Sequence, residues 1–153
     1  WGPVGGGGAP VGFLSGPTPA AKITAMNRFP WDPAYTVGHD ALDSQHQQLL
    51  AACEGLVQAD ESERTGFNDR LKALLALADG HFDAEAAVLG ACACPDLDEL
   101  EAERTEFANL VADLVAPEHF NPDELQRFLG LWWVGHIVGS AETMRLFLAP
   151  ASP

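Results

Sequence analysis

The stretch His81-Phe82-Asp83-Ala84-Glu85 places an imidazole and a carboxylate four residues apart. Around it, apolar residues recur at steps of three and four, the period of an amphipathic helix; they are Phe67, Leu71, Leu74, Leu75, Ala78, Phe82, Val88, Leu89 and Cys92. His81 and Glu85 fall on the same stripe, which predicts that both are buried. A buried polar group without a partner costs about 1 to 3 kcal/mol or more. The motif therefore requires a ligand, an ion partner or both.

Three further segments have the helical period. We expect a first helix capped by Asp40 or Asp43, with His46 inside its apolar face, and a second helix from about 68 to 91 that ends before Pro95. Asp96 or Asp98 can start the third helix. The fourth has the clearest start, with Asn121 as N-cap, Pro122 in the first turn and Glu124 completing a capping box, and it runs to about Leu148.

Four amphipathic helices joined by short loops, with no strand pattern, predict an all-α fold: an antiparallel up-down four-helix bundle. We expect residues 31–38, which are aromatic but interrupted by Pro33, to form an N-terminal extended arm on its surface. Residues 1–28 are rich in glycine and proline and predict a flexible tail. The bundle domain is expected to span residues 29–150.

Charge and composition exclude several partners. The formal net charge of −14, from 22 acidic and 8 basic residues among 153, argues against nucleic acid as a partner. The three cysteines do not form a disulfide framework, which favours a reducing compartment. The sequence has no long apolar run and no signal-peptide pattern, so we expect a soluble cytoplasmic protein with no membrane partner.

Several polar residues fall on inward stripes of the predicted bundle; they are His46, His81, Glu85, Arg104 and His136. A single histidine on an apolar face is more often a core residue than a ligand. Here three histidines and one glutamate come from three different helices, and imidazole plus carboxylate is a ligand set that suits iron, manganese and zinc. Bundle interiors are where such sites are built. His39, just before the first helix, is compatible with either a role in the site or none.

These residues resemble a known family, the hemerythrin-like proteins, and in particular the bacterial hemerythrins. The resemblance covers about residues 31–148 and is carried by three segments: Trp31 to His46, His81-Phe82 with Glu85, and Trp132 or Trp133 with His136-Ile137. It implies a four-helix bundle whose interior holds two irons through five histidines, one glutamate and one aspartate. The two carboxylates of that family bridge the irons, and O2 binds between them.

The chain departs from that ligand set at three positions. Counting back from Phe107, the two histidines of the family's third helix are replaced by Leu100 and Arg104, and the family's aspartate is replaced by Ala141. The resemblance assigns the retained His46, His81 and Glu85 to one iron, and His136 with the missing histidines to the other. The sequence therefore predicts a depleted centre with His46, His81, Glu85 and His136 as metal ligands, which holds one iron and does not carry O2 as the family does.

Arg104 allows two arrangements in this interpretation. It either orients Glu85 beside a single metal ion, or it forms a buried ion pair with Glu85 and no metal is bound. Sequence alone does not choose between them.

Three functions follow. The first is a non-haem iron protein that binds or senses O2 or another small ligand. The second is a non-haem metal-dependent, or metal-free, enzyme that acts on a small organic substrate in the bundle core, with Glu85, Arg104 and His39 as catalytic residues. Arg104 would bind a substrate carboxylate, and Glu85 or His39 would move a proton. The third is a metal-free structural or binding bundle containing the Arg104–Glu85 pair.

Overall fold

Four long helices make up most of the part of the chain that the structure, a computed structural model, describes: residues 28–57, 64–118 and 120–148. A short 3-10 helix (Pro33–Tyr35) comes first. It is followed by α1 (Asp40–Glu54), α2 (Arg64–Ala91), α3 (Leu97–Val115) and α4 (Pro122–Leu148), and these described residues contain no strand. The predicted all-α four-helix bundle is confirmed.

The helices form a closed ring of neighbours. α1 packs against α2 and α4, and α3 packs against the same two helices. Each helix therefore presents one stripe to a shared interior, which is how the bundle brings side chains from distant parts of the chain together. No helix within the described ranges is long and apolar enough to cross a membrane. Residues 1–27 of the predicted tail lie outside the described residues, and the division into tail and bundle stays a prediction.

One layer of the core is aromatic and is centred on Trp133, which is fully buried. Phe82 of α2 and Phe107 of α3 lie 5.4 and 5.2 Å from it between ring centroids. Burying a side chain of this size contributes about 1.5 to 3 kcal/mol through removal of apolar area from water. The aromatic layer lies directly beside the polar residues discussed below, so it positions them as well as stabilising the fold.

The start of α1 differs from the prediction. Its N-cap is His39, whose Nδ1 accepts a hydrogen bond from the backbone N–H of Leu42 at 3.3 Å, so neither Asp40 nor Asp43 is the cap. Asp43 instead accepts from the N–H of Val37 at 2.8 Å, which ties the preceding segment to the helix. The turn before the cap has Gly38 at φ +91°, a backbone conformation that favours glycine.

The N-terminal arm is more structured than predicted. Asp32 caps the 3-10 helix by accepting from the N–H of Ala34, so the arm is not extended throughout. The guanidinium of Arg145, near the end of α4, donates to the backbone carbonyls of Ala34 and Thr36 and holds the arm on the bundle.

The start of α4 agrees with the prediction. Asn121 Oδ1 accepts from the N–H groups of Asp123 and Glu124 at 2.9 and 3.4 Å. One turn later, Gln126 donates from its side-chain amide to the carbonyls of Cys53 and Glu54 at the end of α1. These bonds satisfy carbonyls that a helix end leaves unpaired and lock α1 against α4.

Candidate metal centre

Four of the predicted site residues meet at one point in the bundle interior. They are His46 from α1, His81 and Glu85 from α2, and His136 from α4, all at most 5% exposed. One ligand atom from each can be chosen so that all four lie within 4.8 Å of one another. The sequence predicted that these residues would share the interior, and the structure brings all four into a single cluster.

The cluster has the dimensions of a metal site. His81 Nε2 lies 3.0 Å from His46 Nε2, 3.2 Å from His136 Nε2 and 2.8 Å from Glu85 Oε2. His136 Nε2 lies 2.9 Å from the same Glu85 oxygen. A tetrahedral ion bound at about 2.0–2.1 Å sets neighbouring ligand atoms roughly 3.4 Å apart. The four distances above are slightly shorter than that spacing, whereas the whole set of ligand atoms extends over as much as 4.8 Å, so the side chains must shift to place all four around one ion.

Hydrogen bonds at the outer nitrogen, Nδ1, of two histidines determine which ring nitrogen carries the hydrogen. His136 Nδ1 lies 2.5 Å from Glu103 Oε2, and because a carboxylate only accepts, Nδ1 carries the hydrogen. His81 Nδ1 makes the same kind of bond to Gln45 Oε1 at 2.9 Å. When either ring is neutral, its Nε2 lone pair therefore points at the Glu85 carboxylate, and a proton or a metal ion is needed between the two atoms.

His46 and Glu85 complete the donor set in different ways. His46 Nδ1 is buried and has no hydrogen-bond partner, so its Nε2 is its one atom in contact with the polar cluster. Glu85 divides its two oxygens: Oε2 faces the imidazoles, while Oε1 accepts from the Ser140 hydroxyl at 2.6 Å. One carboxylate oxygen is therefore available to the cluster, and the other is held on its far side.

At neutral pH three of the four groups are in the form that binds a metal ion. Burial, with a smaller contribution from the charges of His81 and His136, lowers the pKa of His46 to about 3. Burial likewise lowers the pKa of His81. Burial alone raises the pKa of Glu85, but hydrogen bonds from His136 and His81 outweigh it and hold this pKa well below its usual range. Two neutral imidazoles and one carboxylate result.

His136 is the exception, and its pKa shows where a proton competes with a metal ion. Burial by itself lowers this pKa, but the hydrogen bonds to Glu103 and Glu85 and their negative charges raise it to about 9. In the metal-free chain His136 is therefore an imidazolium between two carboxylates. A metal ion that binds its Nε2 must displace that proton, which makes metal affinity depend on pH.

Aromatic rings enclose the cluster. The Trp132 ring is stacked parallel to His136 at 5.7 Å, and the Trp133 ring meets His81 and His136 edge-on at 5.8 and 5.3 Å. Phe82 lies 5.7 Å from His136 on the α2 side. These rings restrict imidazole rotation and keep water from much of the cluster, which strengthens electrostatic interactions inside it.

The predicted contact between Arg104 and Glu85 is wrong. The Arg104 side chain is 30% exposed, and its guanidinium donates to Asp83 Oδ1 at 2.7 Å and Asp79 Oδ1 at 3.3 Å, both on the outer face of α2. It also lies 5.7 Å over the Phe82 ring. A guanidinium near the surface stays partly hydrated and so avoids the desolvation cost of the interior. Arg104 is outside the cluster.

Replacing Arg104 by alanine should therefore leave metal affinity unchanged within about twofold, and should cost at most about 1 kcal/mol of stability, as for a partly exposed ion pair. Metal affinity can be measured by competition with a chromophoric chelator. Arg127→Ala, at an exposed position on α4, is the matched control. A large loss of affinity in Arg104→Ala alone would show that this side chain does act on the site.

His39 is also outside the cluster, because its Nδ1 caps α1. The predicted catalytic role in which it moves a proton at the site is therefore not supported by its position.

Leu100 of α3 and Ala141 of α4, two positions where the predicted ligand set is incomplete, have different surroundings. Leu100 is buried and lines a cavity beside Glu85, whereas Ala141 is buried without lining it.

Sequence reasoning missed three residues that contact the cluster: Gln45, Glu103 and Ser140. Glu103 is the most informative, because α3 can present either residue 103 or 104 between Leu100 and Phe107 at steps of three and four. The signal available in the sequence was its carboxylate, which can accept a hydrogen bond from a buried histidine. Ser140 stands four residues after His136 and so shares its helix face. Gln45 directly precedes His46.

Comparison with known proteins gives a consistent result. The family model described as "Hemerythrin HHE cation binding domain" matches residues 37–144. A "Hemerythrin-like protein" of Naegleria gruberi and another of Naegleria fowleri are each 30% identical over 117 residues, covering 76% of this chain and 91% of theirs. The "Myohemerythrin" of Theromyzon tessulatum is 24% identical over 112 residues, covering 73% and 87%. No solved structure matches.

Proposed function

The chain belongs to the hemerythrin family, and on that premise we propose that it binds one iron ion through His46, His81, Glu85 and His136. We further propose that this centre binds or senses O2 or another small ligand and does not carry O2 on two irons. The family description supports cation binding. The identity of the ion, the number of ions and the small ligand are inferred from the donor set and its geometry.

The observation that carries the proposal is the division of the Glu85 carboxylate. A carboxylate that bridges two metals offers one oxygen to each, but Oε1 of Glu85 is held by the Ser140 hydroxyl. On the side of Oε1, the cavity wall contains Leu100 and several carboxylates, and no histidine of the described residues lines it. The three imidazoles and Oε2 converge on one point. This supports a centre for a single ion.

Iron suits the donor set because imidazole and carboxylate ligands with an open position are used by mononuclear ferrous centres that handle O2. A ferrous ion supplies a redox-active Lewis acid at this point. The chain's own residues hold its ligands: Glu103 and Gln45 fix the outer nitrogens of His136 and His81, and Ser140 fixes Glu85. Such outer partners commonly change metal affinity about 10- to 100-fold.

The other two functions lose the contacts on which they were built. Arg104, the proposed carboxylate-binding residue of the enzyme, contacts Asp79 and Asp83 and not the cluster. The metal-free bundle required an Arg104–Glu85 pair, which is not present.

We also propose a cytoplasmic location, in keeping with three free cysteines at Cys53, Cys92 and Cys94.

The small-ligand function is tested by adding nitric oxide, a diatomic probe, to protein loaded anaerobically with ferrous iron. The expected result is an EPR signal that integrates to about one centre per chain, as a single open ferrous site requires. Glu85→Gln, loaded in the same way, is the comparison and should lack that signal. A loaded protein that shows no nitric-oxide signal, or the magnetic coupling of two adjacent irons, would contradict the proposal.

A further inference from the structure

Two cavities lie along the seam between α3 and α4, and both are lined by Glu103. The first, of about 210 Å³, reaches Glu85 and Ser140. The second, of about 270 Å³, reaches His136 on the side of Trp132 and Glu106. A further cavity of about 270 Å³ opens between α2 and α3 beside Arg104, and none of the four clustered residues lines it. The α3–α4 seam therefore connects the cluster with solvent.

The wall of the first cavity is strongly acidic. Besides Glu85 it carries the carboxylates Asp96, Glu99, Glu103 and Glu142. A concave surface lined by charge of one sign focuses the electric field and concentrates ions of the opposite sign. Here the cavity attracts cations and repels anions, and it ends at a buried metal-ligand candidate.

We propose that divalent cations enter and leave the four-residue centre through this first cavity, which ends at Glu85. The inference rests on the proposed function, because it assigns a route to the ion that the centre binds. Glu85 is 2% exposed, and the other three clustered residues are buried as well, so an ion needs a path through the bundle wall. The first cavity offers that path together with a favourable charge.

Glu103 lies where the two seam cavities meet. Its side chain is 43% exposed, and one of its oxygens bonds to His136 Nδ1. It thus faces solvent on one side and the cluster on the other.

Two glycines on α4 allow each seam cavity to be filled separately. Gly139 lines the first cavity and Gly135 lines the second. A Cβ added at either position meets no atom within 4 Å, so a larger side chain enters open space. Leucine also has a higher helix propensity than glycine, so neither replacement is expected to prevent folding. Gly80 on α2 also has nothing within 4 Å, lines neither cavity, and is the matched control.

The test measures Co²⁺ uptake by stopped-flow absorption, and its release to EDTA, in the full chain. Gly139→Leu should slow both rates while the amount of Co²⁺ bound at equilibrium stays the same. Blocking the acidic path forfeits electrostatic focusing, which is worth about 10- to 1,000-fold in association rate for charged clefts. Gly135→Leu and Gly80→Leu should exchange metal at the wild-type rate. Equal rates in Gly139→Leu and Gly80→Leu, or slowing by Gly135→Leu alone, would overturn the route.

A second variant tests the charge without filling the cavity. Glu99→Gln with Glu142→Gln should take up Co²⁺ several-fold more slowly at low salt, and the difference should vanish near 1 M ionic strength, where the Debye length is about 3 Å. Glu101→Gln, at an exposed position that does not line the cavity, is the control. If Gly139→Leu also reduces the metal bound at equilibrium, the double variant Glu99→Gln with Glu142→Gln decides whether the route is correct. An uptake rate unchanged at low salt in that double variant overturns the proposal. A wild-type chain that binds no metal at all contradicts the proposed function instead.

Discussion

Replacing His81 by alanine is expected to lower metal affinity by more than about 100-fold, beyond the range seen when only an outer partner is lost. His81 is the centre of the cluster, because its Nε2 lies within 3.2 Å of His46, Glu85 and His136 atoms alike. Removing the ring leaves a gap between the remaining ligands, and no other imidazole in the described residues is placed to fill it. Isothermal titration with a divalent ion, or chelator competition, measures the effect.

His39→Ala is the matched control for that variant. It removes an imidazole from the N-cap of α1 and none from the cluster, so metal affinity should stay near the wild-type value. Some stability is expected to be lost, about 0.5 to 2 kcal/mol for a capping side chain. If the two variants lost metal equally, or if His81→Ala kept it, the cluster would not be the metal site.

Trp133→Ala should lower the free energy of unfolding of the metal-free protein by about 3 to 5 kcal/mol, as expected when a large buried aromatic side chain is deleted. Trp133 is fully buried and contacts Phe82 and Phe107 as well as two of the clustered histidines. Its indole N–H is buried without a hydrogen-bond partner, which offsets part of its contribution and places the loss towards the lower end of that range.

Urea denaturation in the presence of EDTA, at one pH, measures this loss without a contribution from bound metal. Leu146→Ala is the control, because Leu146 is 81% exposed on the same helix, and a change within about 0.5 kcal/mol is expected there. If both variants lost the same small amount, the aromatic layer would not be the centre of the core.

Helical periodicity was enough to predict the bundle and the four clustered residues. His46, His81, Glu85 and His136 each lie on an apolar stripe, and a helix stripe has one direction in which it can be buried. When these three helix stripes face a common interior, polar residues at the same level of the bundle come together. The start of α4 was equally clear, because Asn121 and Pro122 form a local signal that needs no tertiary contact.

The same reasoning failed on α3, where the pattern admits two phases. Leu100 and Phe107 are buried in either phase, and the residue between them is Glu103 or Arg104. Tertiary contacts decide which of the two residues faces the interior. Glu103 accepts a hydrogen bond from the Nδ1–H of His136, while Arg104 pairs with Asp79 and Asp83 on the surface of α2. His39 was misjudged for a similar reason, since a histidine beside a helix start can cap it or point inward.

The α3–α4 seam was beyond sequence reasoning altogether. Nothing in the local sequence distinguishes Gly135 and Gly139, or the carboxylates at 99, 103 and 142, from other helix residues. The packing of α3 against α4 places them around cavities that reach Glu85 and His136. Volume between helices depends on how side chains from different segments fit together, which no single segment encodes.

The most direct test of the centre as a site for one ion is the ratio of metal to protein. Protein expressed without added metal, and the same protein titrated with ferrous iron under anaerobic conditions, can be analysed by elemental mass spectrometry and by native mass spectrometry. We expect about one ion per folded chain, saturating at that value, because the three imidazoles and Oε2 of Glu85 face a single point. A ratio near two would show that the second iron of the family is retained, and a ratio near zero would show that the cluster holds protons and no metal; either result would contradict the proposed centre.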